Sequence, residues 1–264
     1  STEEIAKILT EGNNYNPDLV KITFKEGQSL KKYALQISEN TNNTYEDVIA
    51  KVEDEAYLDS LISKYWFLTD EIKNNDIYVS LEGYLSPNTY EFVNKDVSVE
   101  EIFKVMLDQT EKELNPYKDT ITNSKWTVHE YMTLASMLEL EGTNTKNRKM
   151  IAGVFINRLN NGMNLGSDVT TYYAFQEEMK KDLTAKQFST SNPYNTRASD
   201  MGGKLPVGPI CNPSNDSIEA SINPTTNDYL FFVADKHGKI YYTKTEKEHT
   251  AKVAEIKEKG DWIW

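Results

Sequence analysis

The segment 127–142, TVHEYMTLASMLELEG, constrains the fold more than any other part of the chain. Residues 131–138 are almost wholly apolar, and two glutamates, Glu139 and Glu141, follow at once. Carboxylates are rarely fully buried unless something satisfies them. A chain carrying this segment must bury a helix in its core and still provide for two carboxylates at the helix end. Thr127 and Glu130 predict a capping box at the start, and Gly142 is expected at the C′ position. On a wheel of ~100° per residue, the apolar centre lies near Tyr131, Leu134 and Leu138. The two glutamates flank that centre about equally, so periodicity does not choose between them. The helix end favours Glu141, which sits beside unpaired carbonyls and the negative end of the dipole. Ionisation is disfavoured there, which suits a general acid. Glu139 is expected to add a smaller like-charge repulsion. The alternative is a pair of solvated glutamates at a frayed end.

Upstream, Val20, Ile22 and Phe24 alternate with polar residues, the period of a half-buried strand, and Glu26-Gly27 signals a turn. Leu30, Tyr33, Ala34 and Ile37 then recur at helical spacing behind a Ser29 cap. A second helix follows Thr44, with Asp47 three residues on. NTYEFV at 88–93 reads as another strand, giving a small α+β unit over 18–95. Residues 1–17 form a polar linker with one short helical pattern, Ile5/Ile8/Leu9. Residues 96–264 are helix-rich and mixed. Helix 98–114 places Ile102, Val105 and Met106 on one face, and KNRKMIAGVFINRLNNG is a further helix. Five of the eight prolines fall between 193 and 224, marking a long shaped loop. DYLFFVAD and KIYYTKT read as two strands across a KHGK turn, followed by a charged helix. The fold class expected is α+β.

The chain of 264 residues has a net charge of −12, so nucleic acid is a poor partner. A single cysteine, Cys211, excludes an internal disulfide and a cysteine-based zinc site, and is expected to be a small loop residue. His129, His237 and His249 lack metal-ligand spacing. Neither metal nor cofactor is expected. No apolar run approaches the ~20 residues of a membrane span, and the polar start looks cut from a longer chain.

LASMLELEG is followed in order by IAGVFINRLNNGMNLGSDVTTYYA, PYNTR, LPVGPICNPSNDSIEASINP and YLFFVAD, with EGYLSPNTYEF at 82–92 upstream. This series resembles the YceG/MltG family of endolytic murein transglycosylases. The family motif A-S-[ILM]-[IVL]-E-x-E puts its catalytic acid at Glu141 and a supporting residue at Glu139. The resemblance implies a LysM-like small domain, matching 18–95, before a catalytic domain over 96–264. It also implies a single-pass anchor in the cell membrane ahead of an extracytoplasmic catalytic part, and an association with cell-wall synthases. Leu140, Arg197 and Val207 depart from the family pattern, where Lys, Tyr and Pro are usual.

The reaction implied breaks the bond between N-acetylmuramic acid and N-acetylglucosamine. One glutamate protonates the leaving group and then acts as base on the sugar's own 6-hydroxyl, leaving a 1,6-anhydro end. Asp168, Thr170, Tyr173, Tyr194, Asn195 and Thr196 match family positions and offer the hydroxyl, amide and aromatic groups that sugars need. Other roles stay open: Tyr173 as core, Asn195 as a turn residue, Asp168 as a helix N-cap. Glu82 is expected to line the cleft from the small-domain side, or else to pair with a lysine. Pro206, Gly208, Pro209 and Pro213 are expected to shape a cleft wall. Two competing functions remain at this stage. One is a glycan-binding module without catalysis. The other is a hydrolase with Asp168 or Asp200 as second carboxylate.

Overall fold

The computed structural model describes residues 18–179 and 181–262. The linker expected at 1–17 lies outside them. The fold is α+β, helix-rich, with two separate two-stranded antiparallel sheets among the described residues.

Strand β1, Val20–Thr23, alternates buried and exposed as its sequence demands. It pairs with β2, Thr89–Phe92, so that Val20 faces Phe92 and Ile22 faces Tyr90. Between them lie α1, Leu30–Asn40, α2, Tyr45–Glu53, and α3, Glu55–Lys64. Helix α1 buries Leu30, Tyr33, Ala34 and Ile37, the four residues its spacing selects. Helix α2 starts with both halves of the Thr44–Asp47 capping box. Helix α3 was not expected. It follows α2 after the single residue Asp54, which ends one helix and accepts the Tyr57 N–H of the next. Neither Gly nor Pro marks that break.

Helix α4, Val99–Leu114, buries Phe103 and Leu107 beside Ile102 and Met106, while Val105 packs only at the margin. The buried face is thus turned toward Phe103 relative to the one the sequence suggested. A short α5, Lys118–Thr122, leads to α6, Val128–Glu141, which begins with the expected Thr127–Glu130 box. Every residue from Met132 to Leu138 is buried. The hydroxyls in that stretch are satisfied within the helix: Thr133 donates to His129 O and Ser136 to Thr133 O. Helix α6 ends against α7, Thr145–Asn160. Gly142 is the C-cap itself and has extended backbone, φ −103°, not a left-handed C′. Glycine is required for space, because a Cβ there would lie 2.4 Å from Arg148 Cγ.

The remaining helices are α8, Asp168–Ala174, α9, Ala185–Ser189, and α10, Asn215–Ile222. The hairpin of β3, Phe231–Ala234, and β4, Ile240–Thr243, carries α11, Glu246–Glu258. Two buried clusters meet at α6. Met132 and Ala135 join a core running from Val20 through Leu114 to Ile222. Leu134, Met137 and Leu138 join a second, with Ile151, Phe155, Tyr194 and Ile210. The first cluster continues without a break across position 95.

The long loop before α10 is stitched to the 18–95 segment at Asn212. Its backbone N–H donates to Gln28 O at 3.0 Å and its carbonyl accepts from Gly27 N at 2.9 Å. Its side-chain oxygen accepts from Gly83 N and Leu85 N, both at 3.1 Å. Gly83 has φ +86°, and a Cβ on it would sit 2.3 Å from Pro209 Cβ. Gly83→Ala therefore meets both left-handed strain and a clash with a rigid ring. It is expected to lower stability by at least about 2 kcal/mol, measured by denaturant unfolding. An unchanged midpoint would mean the Asn212 junction yields freely.

Candidate active site

The two glutamates of α6 end in different surroundings. Glu139 has a side chain 8% exposed and fully engaged. One oxygen accepts from Arg148 at 2.8 Å. The other accepts from Ser214 N at 2.9 Å, Ser214 Oγ at 2.5 Å and Ser217 Oγ at 2.7 Å. These partners belong to α7 and to the start of α10, so Glu139 ties three helices together. A buried carboxylate committed to four donors in this way holds structure.

Glu141 is half-buried, and among the described residues its carboxyl makes one hydrogen bond, accepting from Ser167 Oγ–H at 2.6 Å. Burial pushes its pKa above the ordinary carboxylate range, and the nearby Asp168 charge adds to that. The Ser167 hydrogen bond and the Arg197 charge pull the other way. The neighbouring like charge is thus Asp168, where the sequence suggested Glu139.

Ser167, which sequence reasoning passed over, is buried and held from behind. Its N–H donates to Thr196 Oγ1 at 3.1 Å, and its carbonyl accepts from Thr170 Oγ1 at 2.7 Å. Thr170 and Thr196 share a hydroxyl contact of 2.7 Å. Thr171 donates to Asn195 Oδ1, and the Asn195 amide donates to the carbonyls of Gln187, Phe188 and Thr190. Thr170, Asn195 and Thr196 were expected to grip sugar. They are fully buried and spend their polar atoms on this frame, so they position the Ser167 loop instead. Tyr194 is likewise buried, its ring 4.8 Å from those of Tyr78 and Tyr173. Ser167 occupies the N-cap position of α8 but turns its hydroxyl to Glu141. Asp168 is the first helical residue, not the cap, and pairs with Arg197, whose guanidinium also lies 4.9 Å from the Phe188 ring.

Beside the end of α6 opens a cleft of about 520 Å³ between the start of α1 and α8. Leu140, next to Glu141, and Val169, two residues after Ser167, line it; Glu141 itself is not among the lining residues. Tyr173 and Glu82 form part of the wall, Glu82 from the 18–95 side. Glu82 is 2% exposed, and among the described residues it makes no ion pair with a lysine, though the Lys31 charge pulls its pKa down. Its Oε1 accepts from Leu30 N at 2.8 Å and Asn212 Nδ2 at 3.4 Å, and its Oε2 from Tyr173 OH at 3.2 Å. Ser29, expected to cap α1, makes no side-chain cap bond. The Glu82 carboxylate does that work from 52 residues away. Burial pushes its pKa up to about 7 against these hydrogen bonds. Cys211 is buried nearby, donating to Ser136 O at 3.3 Å. Among the described residues no group of three His, Cys, Asp or Glu side chains could hold a metal.

The folded-state pKa of Glu82 lies above its unfolded value, so the native state holds this proton more tightly. That contribution is complete at low pH and is lost as pH rises to about 7. At about 1.4 kcal/mol per pH unit the loss is on the order of 3 kcal/mol. Glu82→Gln is expected to flatten the fall in stability between about pH 5 and 7, read from denaturant midpoints across that range. An equally steep fall in the variant would show that another group carries it.

A sequence profile described as the YceG-like family matches residues 1–255. An endolytic murein transglycosylase of Bacillus subtilis (strain 168) is 38% identical over 230 residues, 87% of this chain and 63% of that protein. One from Streptococcus pneumoniae serotype 2 (strain D39 / NCTC 7466) is 36% identical over 271 residues, 97% of this chain and 48% of that protein. The chain thus spans about half to under two thirds of the length of these relatives. A crystal structure of a yceG-like protein from Listeria monocytogenes superposes with a TM-score of 0.81 at 37% identity, covering 95% of this chain and 81% of that one.

Proposed function

The chain belongs to the YceG-like family, and from that premise we propose that it cleaves murein glycan strands internally as a lytic transglycosylase, with Glu141 as the acid. The observation that carries this reading is the contrast at the end of α6. Glu139 is saturated by Arg148, Ser214 and Ser217, whereas Glu141 keeps one hydrogen bond and a raised pKa. A carboxyl that stays protonated higher on the pH scale can deliver its proton near neutrality.

Protonated Glu141 gives its proton to the oxygen joining N-acetylmuramic acid to N-acetylglucosamine. The C1–O bond breaks through an oxocarbenium-like transition state. The Glu141 carboxylate then takes the proton of the muramoyl 6-hydroxyl as that oxygen bonds to C1. The 1,6-anhydro end forms, no water is consumed, and Glu141 is protonated again. Ser167, held by Thr170 and Thr196, keeps the carboxyl in place through both steps.

Hydrolysis would call for a second available carboxylate. Asp168 is engaged by Arg197 and Asp200 by Ser191, which favours the lyase reading. The strand–helix–helix order of β1, α1 and α2, with β2 returning antiparallel to β1, supports residues 18–95 as a LysM-like unit that helps hold glycan. The remainder from 96 is read as the catalytic part. In the same reading, an N-terminal single-pass anchor holds the enzyme at the outer face of the cell membrane. It acts there beside cell-wall synthases and ends nascent strands.

Glu141→Gln keeps size and cannot deliver a proton. Cleavage of purified glycan strands is expected to fall on the order of 10²–10⁴-fold with the unfolding midpoint retained. Mass spectrometry of wild-type products is expected to show anhydro ends; reducing ends would establish a hydrolase, and full activity of the variant would move the acid elsewhere. The wild-type rate is expected to fall with rising pH along a limb lying above the ordinary ~4.3 of glutamate, since the protonated form is the active one. A limb at the ordinary value would remove Glu141 from the role.

A further inference from the structure

The cleft beside α6 has walls of opposite charge. Lys31 and Lys32 project from the first turn of α1, and Glu177 and Glu178 follow α8 on the other side. Leu140, Val169 and Ile210 give it an apolar floor. The lysines have no acid within their own helical turn, since residues three and four positions away on either side are Gly, Gln, Ser, Ala and Leu. Lys31 donates instead to the neutral side-chain oxygen of Gln176 at 2.7 Å. Glu177 is occupied by Lys181 at 2.6 Å. Among the described residues, Lys32 and Glu178 enter no ion pair. In a chain with 41 acidic and 29 basic residues, Lys32 stands out beside Lys31, whose charge reaches only the buried Glu82.

Gln176 has left-handed backbone, φ 53°, because it closes α8: its N–H donates to Tyr173 O at 3.1 Å and the Glu177 N–H to Tyr172 O at 2.9 Å, the two bonds of a helix stop. Its amide bridges the cleft, accepting from Lys31 and donating to Tyr173 O at 2.7 Å. A neutral acceptor on Lys31 is readily exchanged for a carboxylate, whose charge-assisted bond is stronger.

We propose that this cleft is the binding site for the peptide branch of the murein strand, with a stem carboxylate on Lys31 and Lys32 and a free stem amine on Glu178. This rests on the murein reading above. In a peptide-bearing strand the muramoyl carboxyl is amidated, so the N-acetylated sugars carry no charge and leave both walls unmatched. A strand stripped of peptide offers at most a carboxylate. A peptide branch with a diamino acid presents both signs on one short chain, and its alkyl parts suit the apolar floor.

The test uses two soluble disaccharide fragments, with and without the peptide, and the catalytically disabled Glu141→Gln protein, so that binding is read without cleavage. Calorimetry is expected to show Kd about 3–10-fold tighter for the peptide-bearing fragment, with the advantage shrinking at high salt. Lys32→Ala and Glu178→Gln, each added to that background, are expected to remove most of the advantage. Acetylating the free stem amine is expected to reproduce the Glu178→Gln result on the unmodified protein. Equal affinity for both fragments, or an equal loss on both in the variants, would falsify the peptide site and make the cleft a glycan groove. Failure of the wild type to form anhydro ends bears separately on the reaction.

Discussion

Everything near the cleft depends on one buried polar junction, where the Glu82 carboxylate and Asn212 meet the start of α1. Leu30 N–H, one of the unpaired donors that every helix start leaves, is satisfied by Glu82. Asn212 exchanges backbone hydrogen bonds with residues 27 and 28 and accepts two more from 83 and 85. Buried polar groups are costly when unmatched. Each of these bonds therefore fixes geometry as well as adding stability. They set where α1 stands relative to Tyr173, and so the separation of the cleft walls.

The second constraint is the division of labour between two carboxylates two residues apart. Successive positions on a helix point in different directions, so Glu139 and Glu141 meet different segments. Glu139 faces Arg148 and the serines that open α10, which supply positive charge and three donors. Glu141 faces the Ser167 loop, which supplies one. The same residue type becomes a fastening in one place and, in the proposed reaction, the proton carrier in the other, and what differs is the number of donors each receives.

Much of this was legible in the sequence. The capping boxes at Thr44 and Thr127, the buried faces of β1 and α1, and the encased helix before LELEG all follow from local pattern. What was not legible came from long-range contact. Ser29 looked like a cap because caps are local by rule, yet the donor's partner lies at Glu82. Thr170, Asn195 and Thr196 looked like sugar contacts because hydroxyls and amides suit sugars, yet burial turned them toward one another. Gly142 looked like a left-handed stop, yet its missing side chain makes room for Arg148. Ser167 had one usable signal, a hydroxyl directly before an acidic helix start, and that signal reads first as a cap. Periodicity left Glu139 and Glu141 equivalent; only their partners separate them.

The encased helix α6 also bears on the order of assembly. It is a wall of both hydrophobic clusters, and the groups that finish its C-terminal end arrive from far along the chain. Ser167 lies 26 residues beyond Glu141, Ser214 lies 75 beyond Glu139, and Asn212 reaches back 184 residues to Gln28. Contacts of such separation form late, after the loop-closure entropy has been met. A growing polypeptide can therefore shape its first strand and helices well before Glu141 acquires its surroundings. The frame behind Ser167 and the serines that hold Glu139 arrive only with residues 187–217, so a shorter chain would carry LELEG without them.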